Sequence, residues 1–157
     1  MNDQKFEELA RRYPALLQKA KVDSFYIDDG WYHIIDTLCG LICSKLEQAQ
    51  TRLRYAIENG QPTDAWEFAI EEETKALPTI MQAKEKFGNL RFHVAPGVTD
   101  EIRHYITFAQ HMSRHVCEKC GSPGEIRNDG WSKVLCGQHH KERQGEPSIW
   151  DDMAGGV

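Results

Sequence analysis

The sequence predicts an α+β protein in which helices pack on a small antiparallel β-hairpin sheet, followed by a compact cysteine-rich segment. Three observations lead to this class. A stretch beginning at Gly30 has apolar residues at helical spacing. In residues 80–94 the side chains alternate between two faces on either side of a turn. Most of the cysteines lie between Cys117 and Cys136. Such periodicity is the main indicator of secondary structure in a single sequence.

The helices are predicted from their apolar spacing and end signals. "KFEELARRYPALL" is amphipathic, and Pro14 either ends this helix or starts a second one. "VDSFYIDDG" is read as extended, and "TDAWEFAIEEETKAL" as a short helix or an ordered loop. The long helix has its stripe at Trp31, Ile34, Ile35, Leu38, Ile42, Leu46, Leu53 and Ile57. A later helix, capped by Thr99 or Asp100, has its stripe at Ile102, Ile106, Ala109 and Met112.

The hairpin is predicted from two alternating runs joined by "KFGN", with a Gly-Asn turn. Its tip brings together Lys84, Lys86, Phe87 and Arg91. One hypothesis is that these residues bind an anionic partner, with an exposed Phe87 stacking on a nucleic acid strand. The other is a solvated edge, with Phe87 in the core and acids from the Glu71 to Glu73 segment neutralising the cations.

The cysteine segment has metal-ligand spacing. Cys117-x2-Cys120 is followed, after fifteen residues, by Cys136-x2-His139, although His140 could replace His139. Zinc prefers four tetrahedral ligands of thiolate and imidazole, and Gly121 suits the tight turn after the first pair. The intervening "NDG" predicts a hairpin turn and "CGQHHKERQ" the start of a helix. The sequence therefore predicts a treble-clef-like zinc finger.

A set of four protein ligands predicts a structural zinc, because a catalytic zinc usually keeps one position open. A treble clef also frames nucleases of the HNH type, but the hairpin between these ligand pairs carries no histidine. No nucleophile elbow, phosphate loop or dinucleotide fingerprint is present either. We therefore expect no catalytic residues, although an enzyme with an unrecognised site stays an alternative. Cys39 and Cys43 are expected to be core thiols.

Composition narrows the setting. The 157 residues carry a net charge of −5, which gives no global attraction to nucleic acid or anionic membranes. The most apolar run, "WYHIIDTLCGLIC", is much shorter than the roughly 18–20 residues that span a bilayer. We expect a cytoplasmic protein without a membrane partner. In a reducing compartment, clustered cysteines are more often metal ligands than disulfides.

Three segments carry a family resemblance: "GWYHIIDTLC", "QAKEKFGNLRFHV" and "SRHVCEKCGSPGEIRNDGWSKVLCGQHH". In this order they resemble a family of small uncharacterised phage and prophage proteins with "GWxxIIxxLC", "KEKFGxLRF" and "CExCGxPG…GW…LCxxH" motifs. The resemblance covers about residues 28–143 and implies a phage or prophage setting. It implies no activity.

We therefore expect three regions: a core at 1–115, a zinc finger at 116–145 packed on it, and a mobile tail at 146–157. The leading functional hypothesis is a non-enzymatic protein that binds and modulates a host or phage macromolecule, for instance as an inhibitor of a host defence system. The alternative is a nucleic-acid-binding accessory or regulatory protein that uses the finger and the basic hairpin. The sequence does not predict the oligomeric state.

Overall fold

The computed structural model describes residues 1–18, 20 and 24–145, which form a mixed helix and strand fold. The helices are α1 (Asp3–Arg12), α2 (Pro14–Leu17), α3 (Tyr32–Glu58), α4 (Asp64–Ala76), α5 (Asp100–Ser113) and α6 (Gly137–Gly145). The strands are β1 (Phe25–Tyr26), β2 (Ile80–Glu85), β3 (Leu90–Val94), β4 (Glu125–Arg127) and β5 (Lys133–Leu135). The tail predicted at 146–157 lies outside the described residues. Within those residues, no helix has the length and apolarity that crossing a bilayer requires.

The main sheet has the order β1-β2-β3, with β2 and β3 forming the predicted antiparallel hairpin. The expectation of a purely antiparallel sheet is wrong, because β1 pairs in parallel with β2. A register shift between Ile80 and Gln82 also breaks the predicted alternation. A bulge inserts one extra residue into a strand. Ile80 and Ala83 are therefore both buried, although strict alternation would place them on opposite faces of the sheet.

The hairpin turn lies one residue earlier than predicted. Its central residues are Phe87 and Gly88, with φ of 54° and 68°, and Lys86 N–H donates to the Asn89 carbonyl at 2.9 Å. Positive φ at both central positions is the type I′ pattern, whose twist matches the flanking strands. The Gly-Asn prediction is wrong because Phe87, and not Asn89, takes the other left-handed position of the turn, beside Gly88.

The core forms where α1, α2, α3 and α5 pack against the sheet. Trp31, Ile35, Leu38 and Ile42 are buried as predicted, and so are the thiols of Cys39 and Cys43. The prediction is wrong at the end of α3, where Ile57 is 62% exposed and Ala56 is buried instead. The uncertain acidic segment is helix α4, which packs along α3.

Helix α5 closes the core over the hairpin. Ile102, Ile106 and Ala109 are buried as predicted, but Met112 is 40% exposed and Ser113 takes the next buried position. The Ser113 hydroxyl accepts a hydrogen bond from Leu90 N–H at 3.0 Å and lies 2.7 Å from the Gln110 carbonyl. A polar residue is stable in this position because it supplies an acceptor at the start of β3.

Helix α1 is fastened to α3 by a polar contact. Arg12 Nη1 lies 2.7 Å and 2.6 Å from the two carboxylate oxygens of Asp36, and the Tyr13 hydroxyl donates to Asp36 at 3.0 Å. Burial and the neighbouring carboxylate raise the pKa of Tyr13 to about 12. The phenol of Tyr13 therefore stays protonated well above its ordinary range.

Candidate metal centre

The first ligand pair lies in a tight turn that directly follows α5. Cys117 is buried and Cys120 is exposed. Gly121 N–H donates to the Cys117 carbonyl at 2.9 Å, and Gly121 has φ of 81°. Because this left-handed backbone favours glycine, the residue after Cys120 lets the turn close so that both thiols face one point.

The second ligand pair lies where β5 meets α6. Cys136 directly follows β5 and His139 occupies the first turn of α6, where the His140 N–H donates to the Cys136 carbonyl at 3.0 Å. The short β4–β5 hairpin therefore connects the two ligand pairs. From the N-terminal side, the order is a cysteine turn, a hairpin and a helix.

The four side chains converge as the spacing predicts, with all four donor atoms within 4.8 Å of one another. His139 Nδ1 lies 3.2 Å from Cys136 Sγ and 3.5 Å from Cys117 Sγ, while the sulfurs of Cys120 and Cys136 are 3.9 Å apart. A tetrahedral zinc with Zn–S of about 2.3 Å and Zn–N of about 2.0–2.1 Å requires donor separations of roughly 3.5–3.8 Å. The donor set is therefore one that zinc takes, and these three separations lie within about 0.3 Å of that range.

The two candidate histidines differ in their contacts. His139 turns Nδ1 toward the cysteines, and its Nε2 lies 3.7 Å from the Glu142 carboxylate. His140 instead places Nε2 2.9 Å from Asp129 Oδ2, in the β4–β5 loop. A carboxylate near the outer nitrogen of a ligating histidine helps to fix its ring, so Glu142 supports the His139 assignment.

The thiols differ in their readiness to ionise. Hydrogen bonds from Ser122 lower the pKa of Cys120 to about 6, and a backbone hydrogen bond from His139 lowers the pKa of Cys136. Burial raises the pKa of Cys117. Metals bind the thiolate form, so two of the three sulfurs are prepared for coordination by their own hydrogen bonds.

The cysteine turn is also packed tightly against the start of α3. Gly30 N–H donates to the Glu118 carbonyl at 2.8 Å, and Trp31 Nε1 donates to the Val116 carbonyl at 2.8 Å. A Cβ added to Gly30 would lie 2.2 Å from the Cys117 carbonyl oxygen. The adjacent Gly and Trp of the sequence are therefore the contact through which the core holds the metal centre.

A buried charge pair lies behind this contact. Glu118 is 1% exposed, and its carboxylate forms an ion pair with Lys133 on β5. Burial raises the pKa of Glu118, against the opposing effect of Lys133. A buried carboxylate needs such a partner to stay charged, so this pair fixes the cysteine turn to the β4–β5 hairpin.

The tips of the two hairpins meet beside the centre and form what we call the hairpin junction, made of residues 84–91 and 126–133. Phe87 and Trp131 contact each other there, with ring centroids 5.4 Å apart. Glu85 joins the two hairpins, because its carboxylate accepts from Gly88 N–H at 2.7 Å and from Trp131 Nε1 at 3.2 Å. Glu85 therefore connects the predicted hairpin site to the finger.

The predicted hairpin residues are brought together in part. Lys84 pairs directly with Arg91 across the strands, and Lys86 Nζ lies 5.4 Å from the centre of the Phe87 ring. In the part of the chain that the structure describes, Lys84, Lys86 and Arg91 form no ion pair.

The hypothesis that the Glu71 to Glu73 segment neutralises these cations is wrong for Glu71 and Glu72, which bind Lys75 on their own helix. The hypothesis that Phe87 enters the core is also wrong, because Phe87 is 57% exposed.

Trp131 was missed as a site residue. It was visible in the sequence as the aromatic residue after "NDG", but its partner lies 44 positions earlier in the chain.

Comparisons with known proteins add no assignment: no family model matches the chain, and neither a curated protein nor a solved structure gives a significant match.

Proposed function

We propose that this protein is a zinc-stabilised binding protein without catalytic activity, whose hairpin junction contacts a macromolecule. The observation that carries the proposal is the closed Cys117, Cys120, Cys136 and His139 set, which supports a hairpin that presents Trp131 beside Phe87. Four protein ligands leave no open coordination position, which favours a structural zinc over a catalytic one.

The finger is proposed to be of treble-clef type. Support comes from the order of its parts, since the Cys117–Cys120 turn, the β4–β5 hairpin and α6 follow one another as in that motif. A segment this short has little apolar core of its own, so metal binding would supply much of its folding free energy. The role of the zinc is then to hold the β4–β5 hairpin against the β2–β3 hairpin.

The hairpin junction is proposed as the binding surface because of its side chains. It combines two exposed aromatic rings with Lys84, Lys86 and Arg91, which form no ion pair with any residue that the structure describes, on a chain whose net charge is −5. Trp, Phe and Arg are enriched in protein interfaces, and Trp and Arg are over-represented among the residues that dominate binding energy. The resemblance to phage and prophage proteins supports a host or phage macromolecule as the partner.

The experiment is affinity capture from a bacterial lysate with the full-length, zinc-loaded protein. The wild type is compared with the double variant Phe87→Asn, Trp131→Ala, and with the control Phe68→Ala, which removes an exposed ring on α4. We expect a retained set of macromolecules that the double variant loses and the control keeps. The same material retained by all three proteins would contradict the proposal.

A further inference from the structure

We infer that Phe87 and Trp131 form a stacking platform for unpaired bases, so that the partner of the hairpin junction is a single-stranded nucleic acid. This inference rests on the proposed function, because it names the chemical class of the macromolecule bound at that surface.

Phe87 and Trp131 contact each other, yet both rings remain largely exposed to solvent. Phe87 is 57% and Trp131 58% exposed, and their planes are inclined by 32°. They come from two different hairpins, they contact each other, and each keeps more than half of its surface open to solvent. Every base has a π-face, so such rings bind single strands with little dependence on sequence.

The type I′ turn holds the backbone at Phe87 in a strained conformation. Its φ is 54°, in the left-handed region that Gly, Asn and Asp tolerate and bulky residues avoid. Gly, Asn or Asp at this turn position would avoid the strain that the Phe side chain brings. A strained residue of this kind points to a functional use, and here the strained residue holds an aromatic ring in solvent.

Trp131 is held in place from both sides. Its indole N–H donates to Glu85 at 3.2 Å, and its carbonyl accepts from Arg143 Nη2 at 2.7 Å. Arg143 also donates to the Asp129 carbonyl at 3.1 Å, which ties the loop to α6. A ring fixed before binding loses less conformational freedom when a base stacks on it.

The charges at the hairpin junction favour phosphate. Lys86 Nζ lies over the Phe87 ring, 5.4 Å from its centre, and Lys84 and Arg91 are paired across the strands of the same hairpin. The neighbouring acids have contacts of their own: Glu85 keeps its charge but accepts from Gly88 N–H and Trp131 Nε1, Asp129 contacts His140, and Glu118 pairs with Lys133. A nucleotide presents a base and a phosphate side by side, which matches an exposed ring flanked by cations that form no ion pair with any described residue.

A single strand fits this surface better than a duplex. A duplex hides its base faces in the stack, whereas single strands offer bases that can be splayed onto aromatic side chains. The platform lies at the tips of two hairpins and includes no helix of the kind that enters a major groove. The geometry therefore selects unpaired bases.

The test is fluorescence anisotropy with labelled oligo-dT and oligo-U and with a duplex of equal length, across a salt series. We expect the wild type to bind the single strands more tightly than the duplex. Phe87→Asn should weaken binding about tenfold or more, since a stacked base contributes roughly 1–3 kcal/mol. Its melting temperature should stay equal or rise, because Asn relieves the strained backbone. The control Phe68→Ala should bind like the wild type.

A second variant tests the cations. Changing Lys84, Lys86 and Arg91 together to Gln should reduce the slope of log affinity against log salt by up to about two units, at roughly 0.7 per phosphate contact with a single strand. This measurement reports phosphate contacts separately from stacking.

The outcomes separate the two proposals. Wild-type protein that shows no salt-dependent binding to either oligonucleotide at low ionic strength overturns the nucleic-acid inference, and so does Phe87→Asn that binds with full affinity. If the lysate capture still depends on Phe87 and Trp131 and resists nuclease, the proposed function holds with a protein partner. If the capture is independent of both residues, the proposed function fails as well.

Discussion

The substitution Gly30→Ala tests how the core holds the metal centre. An added Cβ would lie 2.2 Å from the Cys117 carbonyl oxygen, 2.6 Å from Gly121 N and 2.7 Å from Cys120 N. All three atoms belong to the backbone of the cysteine turn, so no side chain can move aside. The turn and the start of α3 must separate by about 1 Å to restore an ordinary contact.

The expected loss follows from these contacts. Overpacking of this kind costs about 1–3 kcal/mol. Separation also weakens the hydrogen bonds from Gly30 N–H to Glu118 and from Trp31 Nε1 to Val116, each contributing about 1 kcal/mol. We expect the free energy of unfolding to fall by about 3 kcal/mol or more.

The assay is denaturant unfolding in excess zinc, followed by tryptophan fluorescence and circular dichroism. Gly137→Ala is the matched control, because a Cβ at this glycine of the same finger meets nothing within 4 Å. We expect the control to be unchanged or slightly more stable, since Ala favours a helix over Gly by about 1 kcal/mol. A Gly30→Ala protein within about 0.5 kcal/mol of the wild type would refute the reasoning.

Three further predictions concern the core and its polar contacts. Leu38→Ala should lower the free energy of unfolding by about 2–5 kcal/mol, because Leu38 is 1% exposed, and a urea midpoint close to that of the wild type would contradict this. Ser113→Ala should cost about 1–3 kcal/mol by leaving Leu90 N–H without its acceptor, whereas equal stability would mean that another acceptor replaces the hydroxyl. Tyr13 should titrate near pH 12, later than an ordinary tyrosine near 10, so its contribution to stability is complete below pH 10 and is lost as the pH rises through 12. Phenolate absorbance should show a late step that Tyr13→Phe removes; an unchanged titration curve in that variant would show that the step belongs to another residue.

The sequence predicted the features that depend on neighbouring residues. The ligand set was readable because two residues separate the members of each pair, and that spacing turns both side chains of a tight turn toward one point. The stripe from Trp31 to Ile42 was readable because a helix repeats its buried face every three or four residues. Both signals are local.

The features that were missed depend on residues that are far apart in the chain, or on a residue that adopts a backbone conformation its type disfavours. Nothing in the periodicity near Gly30 shows that the cysteine turn approaches its backbone, and nothing near Trp131 shows that Phe87 lies beside it. The turn was placed one residue too late because Phe87 adopts a backbone that its residue type disfavours. The parallel pairing of β1 was missed because two residues are too short to show alternation.

The central claim is that one zinc ion, bound by Cys117, Cys120, Cys136 and His139, stabilises the finger. Elemental analysis of the purified protein, combined with circular dichroism before and after removal of metal by a chelator, tests it most directly. We predict one zinc per chain, none in Cys136→Ser, and loss of the finger's structure without metal, since structural zinc contributes on the order of 10 kcal/mol in small finger peptides. A zinc-free protein that is fully folded, with the melting temperature of the untreated sample, would contradict it.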